Sequence, residues 1–127
     1  MVEGILAKSS RPGYPSVEEI SRETVDLWVD EVRGMGVGSI ICILAERQLV
    51  YYSNLPGGLI DYYRSSGLEV FHIPQRDHKS PPLNDENQLL VARGFEELPK
   101  PVLVHCSAGI DRTGMAVEII SELIDRN

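Results

Sequence analysis

The run Val102-Leu103-Val104-His105-Cys106-Ser107-Ala108-Gly109-Ile110-Asp111-Arg112-Thr113-Gly114 constrains the fold of this chain more than any other segment. A β-branched apolar stretch leads into a short glycine-containing loop, and a helical pattern leads out. A strand–loop–helix of this kind turns backbone N–H groups toward one point at a helix N-terminus, where a phosphate dianion can sit. The same positive field lowers a thiol pKa, so Cys106 is expected to be a thiolate at neutral pH. Arg112 offers a planar fork of donors that can hold two phosphate oxygens while the sulfur attacks phosphorus. The alternative is a buried structural cysteine followed by a surface arginine, which leaves the glycine, the threonine and the apolar lead-in as coincidences.

The segment resembles the H-C-x-x-G-x-x-R-[ST]-G signature of the cysteine-dependent protein tyrosine phosphatase superfamily. The resemblance implies phosphate-ester hydrolysis through a cysteinyl-phosphate intermediate, with Cys106 as nucleophile and Arg112 as phosphate clamp. Ser107, Ala108, Gly109, Ile110, Asp111 and Arg112 would form the substrate-binding loop. Gly109 is expected in a conformation open to glycine alone, and Asp111 to point away from the phosphate. Thr113 would donate its hydroxyl to the sulfur when the intermediate is hydrolysed. His105 would orient the loop and bias Cys106 toward the thiolate.

Phosphoryl transfer also needs an acid for the departing oxygen and a base for the attacking water. Asp77 is the candidate, in Val70-Phe71-His72-Ile73-Pro74-Gln75-Arg76-Asp77-His78-Lys79-Ser80-Pro81-Pro82. This resembles the family's acid loop, and is most similar to the dual-specificity branch, as is Ala45-Glu46-Arg47 after an earlier strand. Asp85 is a runner-up, at a place where a helix-starting aspartate is expected anyway. The signature loop carries no lysine, so a phosphoprotein or small aryl phosphate is favoured over an inositol polyphosphate, with Arg76, His78 and Lys79 as possible compensation.

With 127 residues, the chain has the length of one domain, 1–127. Strands read at Ile5–Lys8, Ser39–Leu44, Glu69–Ile73 and Val102–His105, with helices between and after them. Ser16 and Glu19 read as a capping box for a helix burying Val17, Ile20, Leu27, Trp28 and Val32. A helical pair fills residues 45–66, Asn84 caps a helix to about Leu98, and the last helix runs from Thr113 to about Arg126. The expectation is an α/β domain with a mostly parallel sheet flanked by helices on both faces. The loop after its central strand is where open α/β sheets place ligands. The chain stops soon after the signature helix, where family members continue, which implies a minimal, partner-covered or trimmed version.

A net charge of −7 and no basic stripe exclude nucleic acid as an expected partner and disfavour anionic membranes. Any phosphate site must then rest on local donors. Two cysteines, one committed to thiolate chemistry, point to a reducing, cytoplasmic compartment. Cys42 reads as a buried hydrophobe, with redox trapping of Cys106 as the alternative. No metal-ligand spacing is present and no cofactor is expected. Two competing functions are a catalytically silent phosphate-binding module and a rhodanese-like sulfurtransferase, which would require neither the Gly-x-x-Arg-Thr-Gly ending nor a distant aspartate.

Overall fold

The computed structural model describes residues 2–126. Four short strands, β1 (Leu6–Ser9), β2 (Ser39–Cys42), β3 (Glu69–His72) and β4 (Val102–His105), form one sheet in the order β1-β4-β2-β3. Every pairing is parallel. Parallel neighbours need crossovers, and the intervening helices provide them. These are α1 (Arg22–Gly34), α2 (Glu46–Leu49), α3 (Gly58–Ser65), α4 (Asp85–Glu97) and α5 (Asp111–Asp125). A 3-10 turn, Val50–Tyr52, follows α2.

Alternation along β2 and β4 divides the core in two. Ile40, Cys42 and Leu103 face α1 and α3, packing with Val25, Val29, Val32, Leu59 and Tyr63. Ile41, Val102 and Val104 face α4 and α5, packing with Val91, Phe95, Ala116 and Ile120. Both central strands are buried along their whole length, which is why they read as unbroken apolar runs. Helices on both faces of a parallel sheet are the architecture that the sequence predicts.

The first helix departs from expectation. It starts at Arg22, capped by Ser21, whose side chain accepts from the Thr24 N–H at 3.2 Å. Ser16 caps no helix, because its carbonyl accepts from the buried Arg11 side chain at 2.6 Å. Ile20 N–H is likewise held by the Tyr51 carbonyl at 2.8 Å. With the start moved, Val25, Val29 and Val32 form the buried face, while Val17 and Leu27 are 68% and 71% exposed. At the other end of the chain α5 begins at Asp111, two residues earlier than expected, so Arg112 and Thr113 lie in its first turn.

This packing makes a prediction that separates the two readings of α1. Leu103→Ala, on β4, should cost about 2–5 kcal/mol in urea unfolding. Leu27→Ala should change stability by no more than about 0.5 kcal/mol; a core-sized loss there would restore the earlier helix start.

Candidate active site

The central position of β4 brings three segments together at the carboxyl edge of the sheet. In register, Ser9 of β1 and Cys42 of β2 both pair with His105. The loop that follows is anchored to the segment after β1. Arg11 N–H donates to the Ser107 carbonyl at 2.9 Å, and Arg11 Nε donates to Ser107 Oγ at 3.0 Å. Gly109 has φ +78°, and a Cβ there would come within 2.6 Å of the Ser9 carbonyl oxygen. Both facts require glycine. The N-cap residue of α5, Ile110, supplies no side-chain cap, and apart from that of Thr113, which serves Cys106, the first N–H groups are available to an anion.

Cys106 is buried at the floor of this loop. Burial pushes its thiol up, but this is outweighed by the hydroxyl and N–H of Thr113, the Arg112 charge and the Gly109 N–H. The net pKa lies below the ordinary thiol value, which favours the thiolate. Thr113 Oγ1 is buried with no oxygen or nitrogen partner among the described residues, leaving the Cys106 sulfur as the group it serves.

His105 is fully buried, and burial drives its pKa down to about 4. Its Nδ1 lies 3.0 Å from the Cys106 carbonyl, which can only accept, so Nδ1 carries the proton. Nε2 then accepts from the Tyr63 hydroxyl at 2.9 Å. Trp28 stacks on Tyr63 and meets His105 edge-on, with ring centroids 5.5 Å apart in each case. A neutral His105 fixes the backbone of Cys106 but adds no charge to it, so the expected bias toward the thiolate comes from Thr113, Arg112 and Gly109 instead.

Arg112 is buried, and its Nη1 donates to Gln48 Oε1 at 3.0 Å and to the Gln75 carbonyl at 2.7 Å. Its Nε and Nη2 make no hydrogen bond among the described residues, which leaves two donors for phosphate oxygens. Gln48 Oε1 also accepts from the Ala45 N–H at 3.1 Å. Gln75 is in turn braced by α4, its side-chain oxygen accepting from Asn84 N–H and Asn87 Nδ2. One guanidinium therefore ties the α5 loop to the segment bearing Asp77.

Asp77 and Cys106 line the same recess of about 410 Å³, with Tyr14, His78, Ser107, Ala108, Ile110, Asp111 and Arg112. Asp77 is ion-paired with Arg47, and its other oxygen is 3.4 Å from His78 Nε2. Asp111 is exposed, as expected, yet it borders the recess. Asp85 sits in the first turn of α4 and does not line it. Cys42 is fully buried in the α1–α3 core, and burial raises its thiol pKa well above the ordinary value. That environment suits a small hydrophobe. Among the described residues no cluster of His, Cys, Asp or Glu could hold a metal ion.

Tyr14, Arg11, Gln48 and Gln75 escaped the sequence reading as site residues. Arg11 is 1% exposed with no carboxylate partner among the described residues, bonded to Tyr52 Oη and lying 4.8 Å from the Tyr51 ring centroid. Nothing in their sequence context marks the two glutamines.

The fold is that of the cysteine-dependent phosphatases. A model of the tyrosine phosphatase family matches residues 82–127, which include Cys106, Arg112 and Thr113 but neither Arg11 nor Asp77. Among solved structures, the chain is similar to the core catalytic domain of the PP-IP phosphatase SIW14 from S. cerevisiae. The two are 18% identical with a TM-score of 0.57, over 97% of this chain. The chain spans 64% of that structure's length, and the likeness concerns the fold. No curated protein matches. Among the described residues of this phosphatase-fold chain, no helix is long and apolar enough to cross a membrane.

Two predictions follow the site geometry. Because the His105 pKa falls from 6.5 to about 4 on folding, the unfolded chain binds the extra proton between those values. The histidine's contribution is full above pH 6.5 and lost as pH falls through about 4, a change of about 3 kcal/mol. Urea unfolding across that range should show the decline, reduced in His105→Asn. Gly109→Ala places an L-residue in left-handed backbone at a cost of about 1–2 kcal/mol and pushes the loop off Ser9. Iodoacetamide alkylation at pH 6 should be slower in this variant; unchanged alkylation would separate thiolate stabilisation from loop geometry.

Proposed function

We propose that the chain hydrolyses phosphate monoesters through a cysteinyl-phosphate intermediate. The observation that carries this reading is the meeting of four features at one recess. They are a thiol held below its ordinary pKa, an uncapped helix N-terminus, two unused guanidinium donors and a carboxyl group in the same recess.

The substrate phosphate binds with its oxygens on the loop N–H groups and on Arg112 Nε and Nη2. The Cys106 sulfur attacks phosphorus, and the ester oxygen departs with a proton supplied by Asp77. Asp77 then takes a proton from water as that water attacks the phosphocysteine and the P–S bond breaks. Thr113 donates its hydroxyl to the sulfur as negative charge returns to it. Arg112 neutralises the equatorial oxygens throughout. His105 and Arg11 are positioning residues, one fixing the Cys106 carbonyl and the other fixing Ser107. Tyr14 and Ile110, both exposed, line the recess that receives the ester.

Hydrolysis of p-nitrophenyl phosphate in EDTA tests the scheme. Wild type should turn over and be blocked by vanadate, and Cys106→Ser should be inactive. Asp77→Ala should lose about 10²–10⁴-fold on phenyl phosphate, whose leaving group needs the acid, and much less on p-nitrophenyl phosphate. Thr113→Ala should accumulate phosphoenzyme in rapid-quench experiments. An inert wild type that still binds vanadate would make the chain a phosphate-binding module, and thiosulfate:cyanide turnover would make it a sulfurtransferase.

A further inference from the structure

Positive charge is concentrated beside the catalytic recess, on a chain whose net charge is −7. A recess of about 530 Å³ is lined by Ala45, Glu46, Arg47, Pro74, Gln75, Arg76, Lys79 and Asn84. A smaller one, of about 320 Å³, is lined by Arg47, Arg76, Asp77, His78 and Lys79. Asp77 and His78 also line the recess above Cys106, so the three cavities run on from one another across the Asp77 loop. The first two hold the cationic side chains Arg47, Arg76 and Lys79, with His78 beside them, and the recess above Cys106 adds Arg112. The carboxylates facing them are Glu46 and Asp77, with Asp111 in the recess above Cys106, and Asp77 is already paired with Arg47.

Arg76 and Lys79 are exposed, and their side chains make no ion pair or hydrogen bond among the described residues. Two free cations three positions apart on an excursion from an acidic protein have no folding role that their contacts reveal. Their mutual repulsion, and that of Arg47, is relieved by an anion. The loop carrying them, which turns at His78 with φ 59°, is held to α4 through the Gln75 contacts to Asn84 and Asn87. The cations are thus presented from a braced segment.

We propose that Arg47, Arg76 and Lys79 form a second anion subsite, taking another phosphate of a small polyphosphorylated substrate whose scissile phosphate lies over Cys106. This deepens the phosphatase reading and rests on it. The signature loop itself carries no lysine, so a further phosphate finds its counter-charge on the Asp77 loop instead. The occupant is a small molecule because the cations line recesses of the volume that small ligands occupy. Arg47 contributes by sharing its guanidinium between Asp77 and the incoming phosphate, since its fork has donors beyond the one bonded to Asp77.

The test compares orthophosphate with myo-inositol hexakisphosphate as inhibitors of p-nitrophenyl phosphate hydrolysis by the full chain. The hexakisphosphate should inhibit wild type at least tenfold more tightly than orthophosphate. Arg76→Ala/Lys79→Ala should raise its inhibition constant about tenfold, while the orthophosphate constant and kcat/KM for p-nitrophenyl phosphate stay within about twofold. Arg76→Lys/Lys79→Arg, which keeps both charges, should behave as wild type. Equal inhibition by the two anions, or a double-alanine variant indistinguishable from wild type, overturns the subsite.

Calorimetric titration of Cys106→Ser with the hexakisphosphate separates the two readings. If wild type is inert but the hexakisphosphate binds and the alanine pair abolishes binding, the subsite stands and the catalytic reading falls. A phosphotyrosine peptide with flanking acidic residues is the last arm. Should the alanine pair weaken that peptide but not the hexakisphosphate, the cations read a protein segment, and the proposal is wrong.

Discussion

Everything at the candidate active site depends on β4 lying between β1 and β2. That position pairs His105 with Ser9 on one side and with Cys42 on the other. The segments leaving the three strands must then emerge side by side. One supplies Arg11 and the backbone against which Gly109 packs, one supplies Gln48, and the middle one supplies the loop itself. The cradle is therefore a property of strand order as much as of loop sequence. A loop of the same residues at a sheet edge would lack one of its walls.

Arg112 carries a second dependence. Its Nη1 is committed to Gln48 and the Gln75 carbonyl, and the fork geometry then aims the remaining donors. Both acceptors are uncharged. A carboxylate there would neutralise the guanidinium and weaken its pull on a dianion, whereas an amide and a carbonyl orient it with the charge undiminished. Arg11 shows the same economy, being buried with only neutral acceptors around it.

The fold was largely legible because both central strands are buried on two faces and read as apolar runs, and because Asn84 and Gly109 act at the backbone positions their chemistry suggests. The start of α1 was not legible. Ser16 and Glu19 have the spacing of a capping box, but the buried Arg11 takes the Ser16 carbonyl and the distant Tyr51 carbonyl takes the Ile20 N–H, and no local pattern records that. The same physics limited the site. Cys106, Arg112 and Thr113 lie within one contiguous motif, so their spacing is visible. Arg11, Gln48 and Gln75 reach the loop from separations of 96, 64 and 37 residues, and only the folded chain brings them there. For His105, sequence indicated the position, but its charge state followed from burial.

The aromatic stack behind His105 has an optical consequence. Trp28 is the sole tryptophan of the chain, and its indole meets the imidazole of the residue next to Cys106 edge-on. The protein thus carries its one intrinsic indole fluorophore against the imidazole of the residue next to its thiol, a native optical probe built into the wall behind the loop.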